Sequence, residues 1–425
     1  MRILMVLHQF FPEFAGGTER VALNLARMAQ RAGHHVRILA CTVEPDKSLA
    51  KPSMRDGLGM LETVYQGVPV SLIKRADLPP RADISFEADP AINDTLITWI
   101  KDQKFDVAHV MHSMRMGSAL MAIQKCSVPY VLHLTDFYLP CARVNLVNLN
   151  HELCPGPDEG RRCALQCAVP PWTIESYSDR YFDSRAILLA AGARIAPSEY
   201  LAARYRDIYP GIDIQVIPHG IDLLAMSAVV IPQAVQAAGA DAPLKLIFIG
   251  SIVPQKGLDV LIKALVLIPN ANVELKVIGG FYGDPVYQRG VRQLADADRR
   301  IELCGVLNAA EVFLALNQAD LLCLPSKVPE SFSLVLHESA AAGVPMLVSD
   351  LGAPAQQVTE NGCGLVLPCA NVQAWADALS LVEQDRSVLL DWKKRLFLPL
   401  RIEEEAFFMN SIYLRLQKIA AAAQP

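Results

Sequence analysis

Two glutamates that lie eight residues apart, Glu330 and Glu338, have a spacing that points to ligand binding. They stand at the head of a predicted small-residue helix, Ala340-Ala341-Ala342-Gly343. Along an α-helix eight residues advance about 12 Å, whereas a glycosidase holds its two carboxyl groups roughly 5–9.5 Å apart across one bond. The spacing therefore favours an extended ligand such as a nucleotide sugar, with Glu330 at the sugar and Glu338 at the ribose. The alternative is an ordinary amphipathic helix with a polar start.

The residues between the two glutamates are suited to a diphosphate. We expect the backbone amides of Ser331, Phe332 and Ser333 at the N-terminus of this helix, where N–H groups lack intrahelical acceptors and the helix dipole is positive. Both properties favour an anion. An upstream turn that runs from Gly250-Ser251 to Gln255-Lys256-Gly257 supplies a cation.

Length and composition bound the class of protein. A chain of 425 residues exceeds a single core and predicts two domains. With 39 basic and 44 acidic residues the net charge is −5, which gives no general attraction to nucleic acid or anionic lipid. We see no apolar run of the roughly 18–20 residues that a membrane span needs, and no signal peptide. Because the ten cysteines are mostly scattered, we expect a reducing, cytoplasmic location.

Short apolar strands alternate with helices in both halves of the chain, which predicts an α/β protein with two doubly wound, Rossmann-like parallel sheets. We place the N-terminal domain at 1–222, with a cysteine-rich insert at 137–172, and the C-terminal domain at 223–402. Val229 to Pro243 is predicted to be a linker or loose loop near the boundary. Residues 403–425 have helical spacing and are expected to cross back onto the first domain.

The order of these signals resembles the GT-B-fold family-4 retaining glycosyltransferases (glycosyl transferases group 1) over nearly the whole chain. The matching segments, in chain order, are Pro12 with Gly16-Gly17-Thr18-Glu19, Val216-Ile217-Pro218-His219-Gly220-Ile221-Asp222, Gly250 through Lys256-Gly257, and Glu330-Ser331-Phe332-Ser333-Leu334 through Glu338. The resemblance implies two Rossmann-like domains facing across a cleft that holds a nucleoside-diphosphate sugar. It also implies retention at the anomeric carbon and no requirement for a catalytic metal.

The family's roles fall on matching residues. Lys256 would neutralise the diphosphate, Glu330 would contact the sugar hydroxyls and Glu338 would hold the ribose. Gly16 and Gly17 would let the backbone approach the donor phosphates or the acceptor. The backbone near Gly305 and Val306 would lie beside the base. The other residues assigned to the donor are Ser251, Ser331, Phe332, Ser333 and Leu334.

Two positions depart from the family pattern. Ser251 stands where the family often has Arg, so that another basic residue such as Lys327 would have to supply the phosphate contact. Thr135 stands where the family often has His, directly before Asp136. His133 lies two residues earlier, on the same strand face, and is either a third catalytic candidate beside Glu330 and Lys256 or a hydrogen-bonded core histidine.

Histidines also follow the preceding strand. His112 is nearer the strand's carboxyl end, where open α/β sheets bind ligands, and we assign it with Asp136 to the acceptor side. His109 is predicted to be structural.

Four cysteines, Cys141, Cys154, Cys163 and Cys167, cluster in a loop rich in glycine and proline. In a reducing compartment such a cluster more often binds a metal than forms disulfides. Four thiolates suit a structural zinc ion, an iron–sulfur cluster is the rival, and four uncoordinated cysteines are the third interpretation. If metal binds, we expect the insert to fold over the acceptor side, with Tyr177, Arg180 and Tyr181 lining that pocket.

The leading hypothesis is a retaining glycosyltransferase that moves a sugar from a UDP- or GDP-sugar to a hydroxyl of a glycan, a lipid-linked glycan or a small molecule. The alternatives are a nucleotide-sugar epimerase of the same fold and a non-catalytic, metal-stabilised module that binds sugar nucleotides. Nucleic acid is not expected as a partner. Peripheral contact with the inner face of the membrane is left open, and the apolar and basic segment Met114-Arg115-Met116 is the candidate for that contact.

Overall fold

The computed structural model describes residues 1–43, 51–55, 58–169, 172–223 and 242–422. These residues belong to two units, one built from Met1–Gly220 with Ile402–Pro425 and the other from Ile221–Arg401. Residues 229–241 of the predicted linker Val229–Pro243 lie outside the described residues. None of the helices in the described ranges combines the length and apolarity that crossing a membrane requires.

The first unit is organised around one sheet whose strands, within the described residues, run in the order β3-β4-β5-β2-β1-β6-β7-β8-β9. Every neighbouring pair from β5 to β9 is parallel. The strands are β1 Arg2–Val6, β2 His35–Thr42, β3 Lys51–Arg55, β4 Leu58–Tyr65, β5 Val68–Lys74, β6 Val107–Val110, β7 Tyr130–His133, β8 Ala193–Ala196 and β9 Gln215–Val216.

The antiparallel part of this sheet, formed by β3, β4 and β5, was not predicted from the alternation of strands and helices. A two-residue turn, Gln66-Gly67, joins β4 to β5, and both residues have positive φ (46° and 83°). Such a turn matches the twist of a β-hairpin. Gly67 between two apolar runs is therefore the sequence signal that could have predicted this hairpin.

Helices pack on the first sheet through apolar residues at helical spacing. In α1, Val21, Leu25 and Ala29 are buried four residues apart. Asp89 caps α2 by accepting the N–H of Ile92, so this helix begins at Pro90. The helices of the N-terminal stretch are α1 Gly17–Arg31, α2 Pro90–Gln103, α3 Gly117–Lys125, α4 Arg161–Gln166, α5 Ile174–Ala190 and α6 Glu199–Ile208.

The second unit holds a parallel sheet in the order β12-β11-β10-β13-β14-β15. Its strands are β10 Leu244–Ile249, β11 Val273–Ile278, β12 Ile301–Gly305, β13 Leu321–Leu324, β14 Met346–Ser349 and β15 Gly364–Leu367. Its helices are α7 Leu258–Leu267, α8 Pro285–Asp296, α9 Ala309–Asn317, α10 Leu334–Ala341, α11 Gly352–Asn361, α12 Val372–Gln384 and α13 Ser387–Lys393. The order reverses between β10 and β13, where open α/β sheets bind ligands beyond the carboxyl ends of the strands.

The C-terminal helix α14, Ile402–Ala422, belongs to the first unit. Its Asn410 hydrogen-bonds His34 over 2.8 Å and its Tyr413 hydrogen-bonds His109 over 2.7 Å. The observed unit boundaries differ slightly from the predicted 222 and 402. Ile221 donates its N–H to Leu400 over 2.8 Å, which joins Ile221 to the second unit.

Candidate active site

An ion pair lies at the switch point of the second sheet, where the strand order reverses between β10 and β13. Lys256 Nζ is 3.0 Å from Glu330 Oε1, and the Ser326 hydroxyl donates a hydrogen bond to the same carboxylate oxygen. The Lys256 side chain is about one-third exposed and the Glu330 side chain one-tenth exposed, so the pair is partly buried but accessible to a ligand. The structure thus brings together two of the three predicted catalytic residues.

Two glycines allow this close assembly. Gly257 has φ +69°, and a Cβ there would collide with the Pro325 carbonyl, so that glycine lets the Lys256 turn pack against the end of β13. Gly352 has φ +80°, and a Cβ there would collide with the Glu330 backbone. Ala353 donates its N–H to the Glu330 carbonyl over 2.8 Å, which fixes the backbone of that glutamate.

Sequence reasoning missed Ser326 and Gly352 as parts of this site. Ser326 follows buried β13 by two residues, and the rule that ligands bind beyond the carboxyl ends of strands would have singled it out. Gly352 gave no comparable signal, because its contact with Glu330 is formed between distant parts of the chain.

Lys327, the basic residue suggested as a substitute for the family's arginine, is held by a carboxylate. Its ammonium lies 2.8 and 2.9 Å from the two carboxylate oxygens of Asp259, in the first turn of α7. Although burial raises the pKa of Asp259, hydrogen bonds and charge from Lys327 and then Lys263 bring that pKa below its usual value. Lys327 therefore anchors α7, and Ser251 is exposed directly after β10.

The geometry of the two glutamates differs from the predicted one. α10 begins at Leu334 with Ser333 as its N-cap, and the Ser333 hydroxyl accepts the Leu336 N–H over 3.3 Å. Glu338 is on this helix, whereas Glu330 lies four residues before its start in a bridge to Gly352. The eight-residue helical spacing therefore does not apply, although the segment still leads into a helix N-terminus.

The segment before α10 is fixed by a ring stack. Phe332 stacks on His337 with ring centroids 4.1 Å apart, and Phe397 packs edge-on against the same histidine at 5.0 Å. His337 Nδ1 bonds the Ser333 carbonyl over 2.8 Å, which sets its tautomer. These contacts orient Ser331, Phe332 and Ser333 directly ahead of the helix.

The residues predicted to lie beside the base are at the end of β12. Gly305 has φ +71° and its carbonyl accepts the N–H of Gly279 over 2.8 Å. Val306, the next residue, is 70% exposed, which is unusual for valine and leaves an apolar face open to a ring. Their contact with a base stays a prediction.

In the first unit, the predicted acceptor residues His112 and Asp136 meet beyond the carboxyl ends of β6 and β7. His112 Nε2 lies 2.8 Å from Asp136 Oδ2, and His112 Nδ1 accepts the N–H of Met114 over 3.2 Å. The second bond fixes the proton on Nε2, so His112 donates to the carboxylate. Thr135, at the position where the family often has His, donates its hydroxyl to the Met111 carbonyl over 3.1 Å.

His8 and Glu19 extend this cluster and were not predicted as site residues. The His8 ring lies 3.9 Å from that of His112, and His8 Nε2 is 4.0 Å from Glu19 Oε1. Within the described residues, neither His8 Nδ1 nor Glu19 Oε1 has a hydrogen-bond partner, although both are buried. Burial, followed by the nearby charges of His112 and Arg115, lowers the pKa of His8 well below its usual value, which keeps that ring neutral.

Gly16 and Gly17 stand at the start of α1 and are exposed. A Cβ on Gly16 would collide with the Glu19 carboxylate, which folds back over this glycine. The buried Glu19 beside Gly16-Gly17 could have been noticed from the sequence, because a charged residue in the first turn after a glycine pair is suited to a ligand site.

The structure places His133 in the interior rather than at an accessible site. It is 2% exposed, its Nδ1 lies 3.2 Å from His109 Nε2, and its ring lies 4.9 Å from that of His219. His109 in turn bonds Tyr413 of α14. Burial, with the charge of His219 as the smaller cause, lowers the pKa of His133 well below its usual value. These contacts are those of the hydrogen-bonded core histidine that the sequence left as the alternative, and the catalytic role stays a prediction.

A carboxylate extends this series of buried side chains. Glu405 of α14 accepts the Gly220 N–H over 2.7 Å and lies 3.1 Å from His219 Nδ1. Burial raises the pKa of Glu405 to about 8, against the lowering effect of the Gly220 N–H, and lowers the pKa of His219 to about 3. The pair is therefore neutral near pH 7. Ligand atoms of His133, His219 and Glu405 all lie within 4.8 Å of one another.

Tyr177 and Tyr181, predicted to lie on the acceptor side, pack within the first unit. The Tyr177 hydroxyl donates to the Cys167 carbonyl over 3.3 Å and that tyrosine is 5% exposed. Tyr181 stacks on Tyr209 with centroids 5.2 Å apart and donates to the Ile208 carbonyl. Tyr177 thus holds the insert and Tyr181 packs against the end of α6, while the acceptor contact of both tyrosines stays a prediction.

Two family models match complementary parts of the chain: "Glycosyltransferase Family 4" over residues 15–223 and "Glycosyl transferases group 1" over residues 233–396. The phosphatidyl-myo-inositol mannosyltransferase of Mycobacterium leprae (strain TN) is 26% identical over 383 residues, covering 89% of this chain and 86% of that relative. A D-inositol 3-phosphate glycosyltransferase of Xylanimonas cellulosilytica is 28% identical over 394 residues, covering 87% and 84%.

Among solved structures, the sucrose-phosphate synthase of Thermosynechococcus elongatus aligns with a TM-score of 0.70 at 18% identity, covering 98% of this chain and 99% of that one. Anabaena Alr3699/HepE in complex with UDP and glucose aligns with a TM-score of 0.64 at 16% identity, covering 99% and 98%. These likenesses confirm the predicted GT-B fold.

The family models and the relatives together show a sugar-transferring enzyme. The chain belongs to the family-4, group 1 glycosyltransferases, as its sequence motifs predicted.

Proposed function

We propose that this protein is a retaining glycosyltransferase that moves a hexose from a UDP- or GDP-sugar to a hydroxyl of a glycan, a lipid-linked glycan or a small molecule. The observation that carries the proposal is the contact of Glu330 with both Lys256 and Ser326 at the switch point of the second sheet. The structural neighbour Anabaena Alr3699/HepE, in complex with UDP and glucose, supports a nucleotide-sugar donor.

In this proposal the donor binds at the second unit. The diphosphate competes with Glu330 for the Lys256 ammonium, and the positive end of α10 adds to that attraction. Glu330 is then released to accept hydrogen bonds from the sugar hydroxyls. Glu338, on α10, holds the ribose hydroxyls, as the family resemblance implies.

The reaction breaks the bond between the anomeric carbon and the diphosphate oxygen, and the electron pair leaves with the nucleoside diphosphate. Lys256 stabilises the developing negative charge. The acceptor oxygen bonds the anomeric carbon on the same face through an oxocarbenium-like state, and its proton passes to the departing diphosphate. Configuration is thereby retained without a covalent enzyme nucleophile.

We assign the acceptor to the first unit, at the cluster of His8, Glu19, His112 and Asp136. Within the described residues, the buried atoms His8 Nδ1 and Glu19 Oε1 have no hydrogen-bond partner. A hydroxyl group of a polyol or sugar can donate to the carboxylate oxygen, and it can serve as either donor or acceptor toward the imidazole nitrogen. The two relatives given above are named for phosphatidyl-myo-inositol and for D-inositol 3-phosphate. Free and lipid-linked inositol phosphates are therefore the first acceptors to test.

The test begins with donor binding. Purified protein is titrated with UDP-, GDP-, ADP- and dTDP-sugars while its thermal midpoint is followed, and Glu338→Ala and Lys256→Ala are titrated in parallel. We expect one nucleotide family to stabilise the wild type, and both variants to lose that response. Folded protein that responds to no sugar nucleotide would overturn the donor assignment.

The second step separates transfer from the alternatives. Incubation with the stabilising donor and a panel of hydroxyl acceptors is followed by NMR of the product's anomeric centre. A product with the donor's anomeric configuration supports retention. An epimerised donor without transfer indicates an epimerase, and tight donor binding without any turnover indicates a binding module.

We extend the proposal to a cytoplasmic site of action with peripheral contact at the inner face of the membrane. The segment Met114-Arg115-Met116 does not provide that contact, because Met116 is buried and Arg115 pairs with Asp83. Exposed apolar side chains instead stand on and after the insert, with Leu165 82%, Ile174 56% and Phe182 52% exposed. Co-sedimentation with anionic vesicles tests this, and Leu165→Asp should reduce binding without changing donor affinity.

A further inference from the structure

The cysteine-rich insert brings its four thiols into one another's electrostatic range. Cys163 lies in α4, and Cys167, the residue that ends this helix, donates its N–H to the Cys163 carbonyl over 2.8 Å. Nearby charge on Cys141, Cys154 and Cys167 would each raise the pKa of Cys163. All four are uncrosslinked thiols. Within the described residues, no three of the sulfurs lie within 4.8 Å of one another, so a shared ligand would draw them inward.

Backbone hydrogen bonds hold the segments that carry the cysteines together. Cys154 donates its N–H to the Leu146 carbonyl over 2.7 Å, and Val147 and Leu153 form an antiparallel bridge beside that contact. Leu149 donates its N–H to the Gln166 carbonyl over 3.4 Å, at the end of α4. The loop that bears Cys154 is thereby joined to the helix that bears Cys163.

A buried cation beside the cluster has an incomplete environment. Arg180 is 5% exposed, its guanidinium packs over the rings of Phe86 and Tyr138, and one of its nitrogens donates to the Tyr138 carbonyl. Within the described residues, its Nε and Nη1 have no hydrogen-bond partner. Its charge lowers the pKa of both Cys141 and Cys163, so it lies within electrostatic reach of the sulfurs.

These observations are explained together by a bound dication. We propose that Cys141, Cys154, Cys163 and Cys167 bind one zinc ion as a closed tetrathiolate site. Binding releases four thiol protons, and the resulting centre carries a net charge of −2 (four thiolates and one Zn²⁺). That charge compensates the buried Arg180. The thiol of Cys154, which now donates to the Gly156 carbonyl over 3.4 Å, exchanges that bond for the metal.

The surrounding chain already holds the cysteine-bearing loops. Arg204 of α6 donates to the Cys154 and Pro155 carbonyls, and Arg162 donates to the Gly156 carbonyl over 2.7 Å. A Cβ on Gly160, which has φ +93°, would collide with the backbone of Tyr177 in α5. Zinc would therefore close a loop whose anchors are in place, as a structural site does.

The direct test is elemental analysis of full-length protein purified without chelator. We expect about one zinc per chain and no iron, with sulfur-only ligation by X-ray absorption at the zinc edge. Cys163→Ser should lower zinc content at least about fivefold, whereas Cys126→Ser, a partly buried cysteine outside the insert, should leave it unchanged.

A second measurement does not depend on the folding of a variant. In wild-type protein, a strong chelator should release the zinc and raise the number of thiols that react with a disulfide reagent by about four. Cobalt substitution should give the thiolate charge-transfer absorption of a tetrahedral S₄ site.

Several results would overturn the assignment. Iron with acid-labile sulfide would indicate an iron–sulfur cluster, and a disulfide between these cysteines in protein isolated under reducing conditions would indicate a covalent clamp. Nitrogen and oxygen ligation would move the metal to the buried group His133, His219 and Glu405. Protein that is isolated without metal and takes up none on addition of zinc would exclude the site.

One consequence rests on the proposed function. The insert connects to the acceptor cluster because Arg180 bonds the Tyr138 carbonyl, and Tyr138 donates its N–H to Asp136 Oδ1 over 2.8 Å. Removing zinc should therefore reduce transfer several-fold while donor binding at the second unit stays unchanged. Loss of zinc without loss of transfer would refute this coupling and leave the metal site standing, whereas loss of donor binding in metal-replete protein would refute the function alone.

Discussion

The two units share one pattern of strand order but use the carboxyl ends of their strands differently. In the second unit, the charged groups Lys256 and Glu330 are held by each other and remain partly exposed. In the first unit, His109, His133, His219 and Glu405 lie in the interior and are held near neutrality by burial. Titratable residues are thus left accessible to a ligand in one unit, whereas in the other they are buried where the C-terminal helix attaches.

The largest expected effect comes from the charged pair. Glu330→Gln should lower kcat/KM about 10²- to 10⁴-fold, because it removes a charged contact that the proposal assigns to the reacting sugar. Its thermal midpoint should stay close to that of the wild type, since an amide can still accept from Ser326. Asp259→Asn, one turn into α7, is the matched control for charge removal in the same unit and should retain most activity. Equal losses in both variants would remove the distinction between a catalytic and an anchoring carboxylate.

A smaller loss is expected at the acceptor cluster of the first unit. His112→Phe should lower kcat about 10- to 100-fold while the donor's dissociation constant stays constant, because His112 orients Asp136 rather than the donor. His112→Asn keeps a side-chain N–H donor and should recover part of the loss. A matching change in donor affinity would assign His112 to the donor and break the division between the units.

The buried histidines should show the opposite behaviour. His133→Leu leaves His109 Nε2 without its partner and should lower the free energy of unfolding by about 2 kcal/mol, with kcat changed less than about twofold. Denaturant unfolding and steady-state rates measure the two effects on the same samples. A large loss of turnover in a fully folded variant would restore the catalytic role that the sequence allowed for His133.

The sequence predicted the fold class and the position of most strands because both sheets are built from short, buried, apolar runs separated by glycine and polar turns. It also singled out Lys256, Glu330, His112 and Asp136, which lie in the segments that follow the carboxyl ends of such runs. It did not predict Ser326 beside Glu330, or His8 beside Glu19, because those contacts depend on how the chain turns between β13 and α10 and between β1 and α1. The helix start at Leu334 was missed for a local reason: Ser333 is a better N-cap than Glu330, and only the cap decides where the helix begins.

The pH dependence of stability distinguishes the buried residues His219 and Glu405 from the partly exposed pair Lys256 and Glu330. Burial raises the pKa of Glu405 from 4.5 to about 8, so between those values the folded protein holds a proton that the unfolded chain has lost. Its stabilising contribution is complete below pH 4.5 and disappears as pH rises through 8. His219, whose pKa falls from 6.5 to about 3, has the opposite effect, but only below pH 6.5.

Between pH 6.5 and 8 the slope should therefore come mainly from Glu405, with stability falling by about 1–2 kcal/mol. Glu405→Gln mimics the protonated carboxyl and should flatten this window, while Glu330→Gln, at a partly exposed ion pair, should leave it unchanged. Urea titrations at three pH values are sufficient. A wild-type profile that rises across the window would show that Glu405 is ionised in the folded protein.

The smallest effect is expected at Lys327 and Asp259, which tests whether every lysine near the switch point serves the donor. The pair is partly exposed, at 30% and 13% of the two side chains, so a double-mutant cycle with Lys327→Met and Asp259→Asn should give a coupling of about 1 kcal/mol in stability. Because Lys327 is held by both Asp259 oxygens, Lys327→Met should change donor affinity less than about threefold, against a loss of at least about tenfold for Lys256→Met. If the two lysines lose donor affinity equally, Lys327 leaves Asp259 when the diphosphate binds, and the second unit then uses two ammonium groups where the family more often uses an arginine.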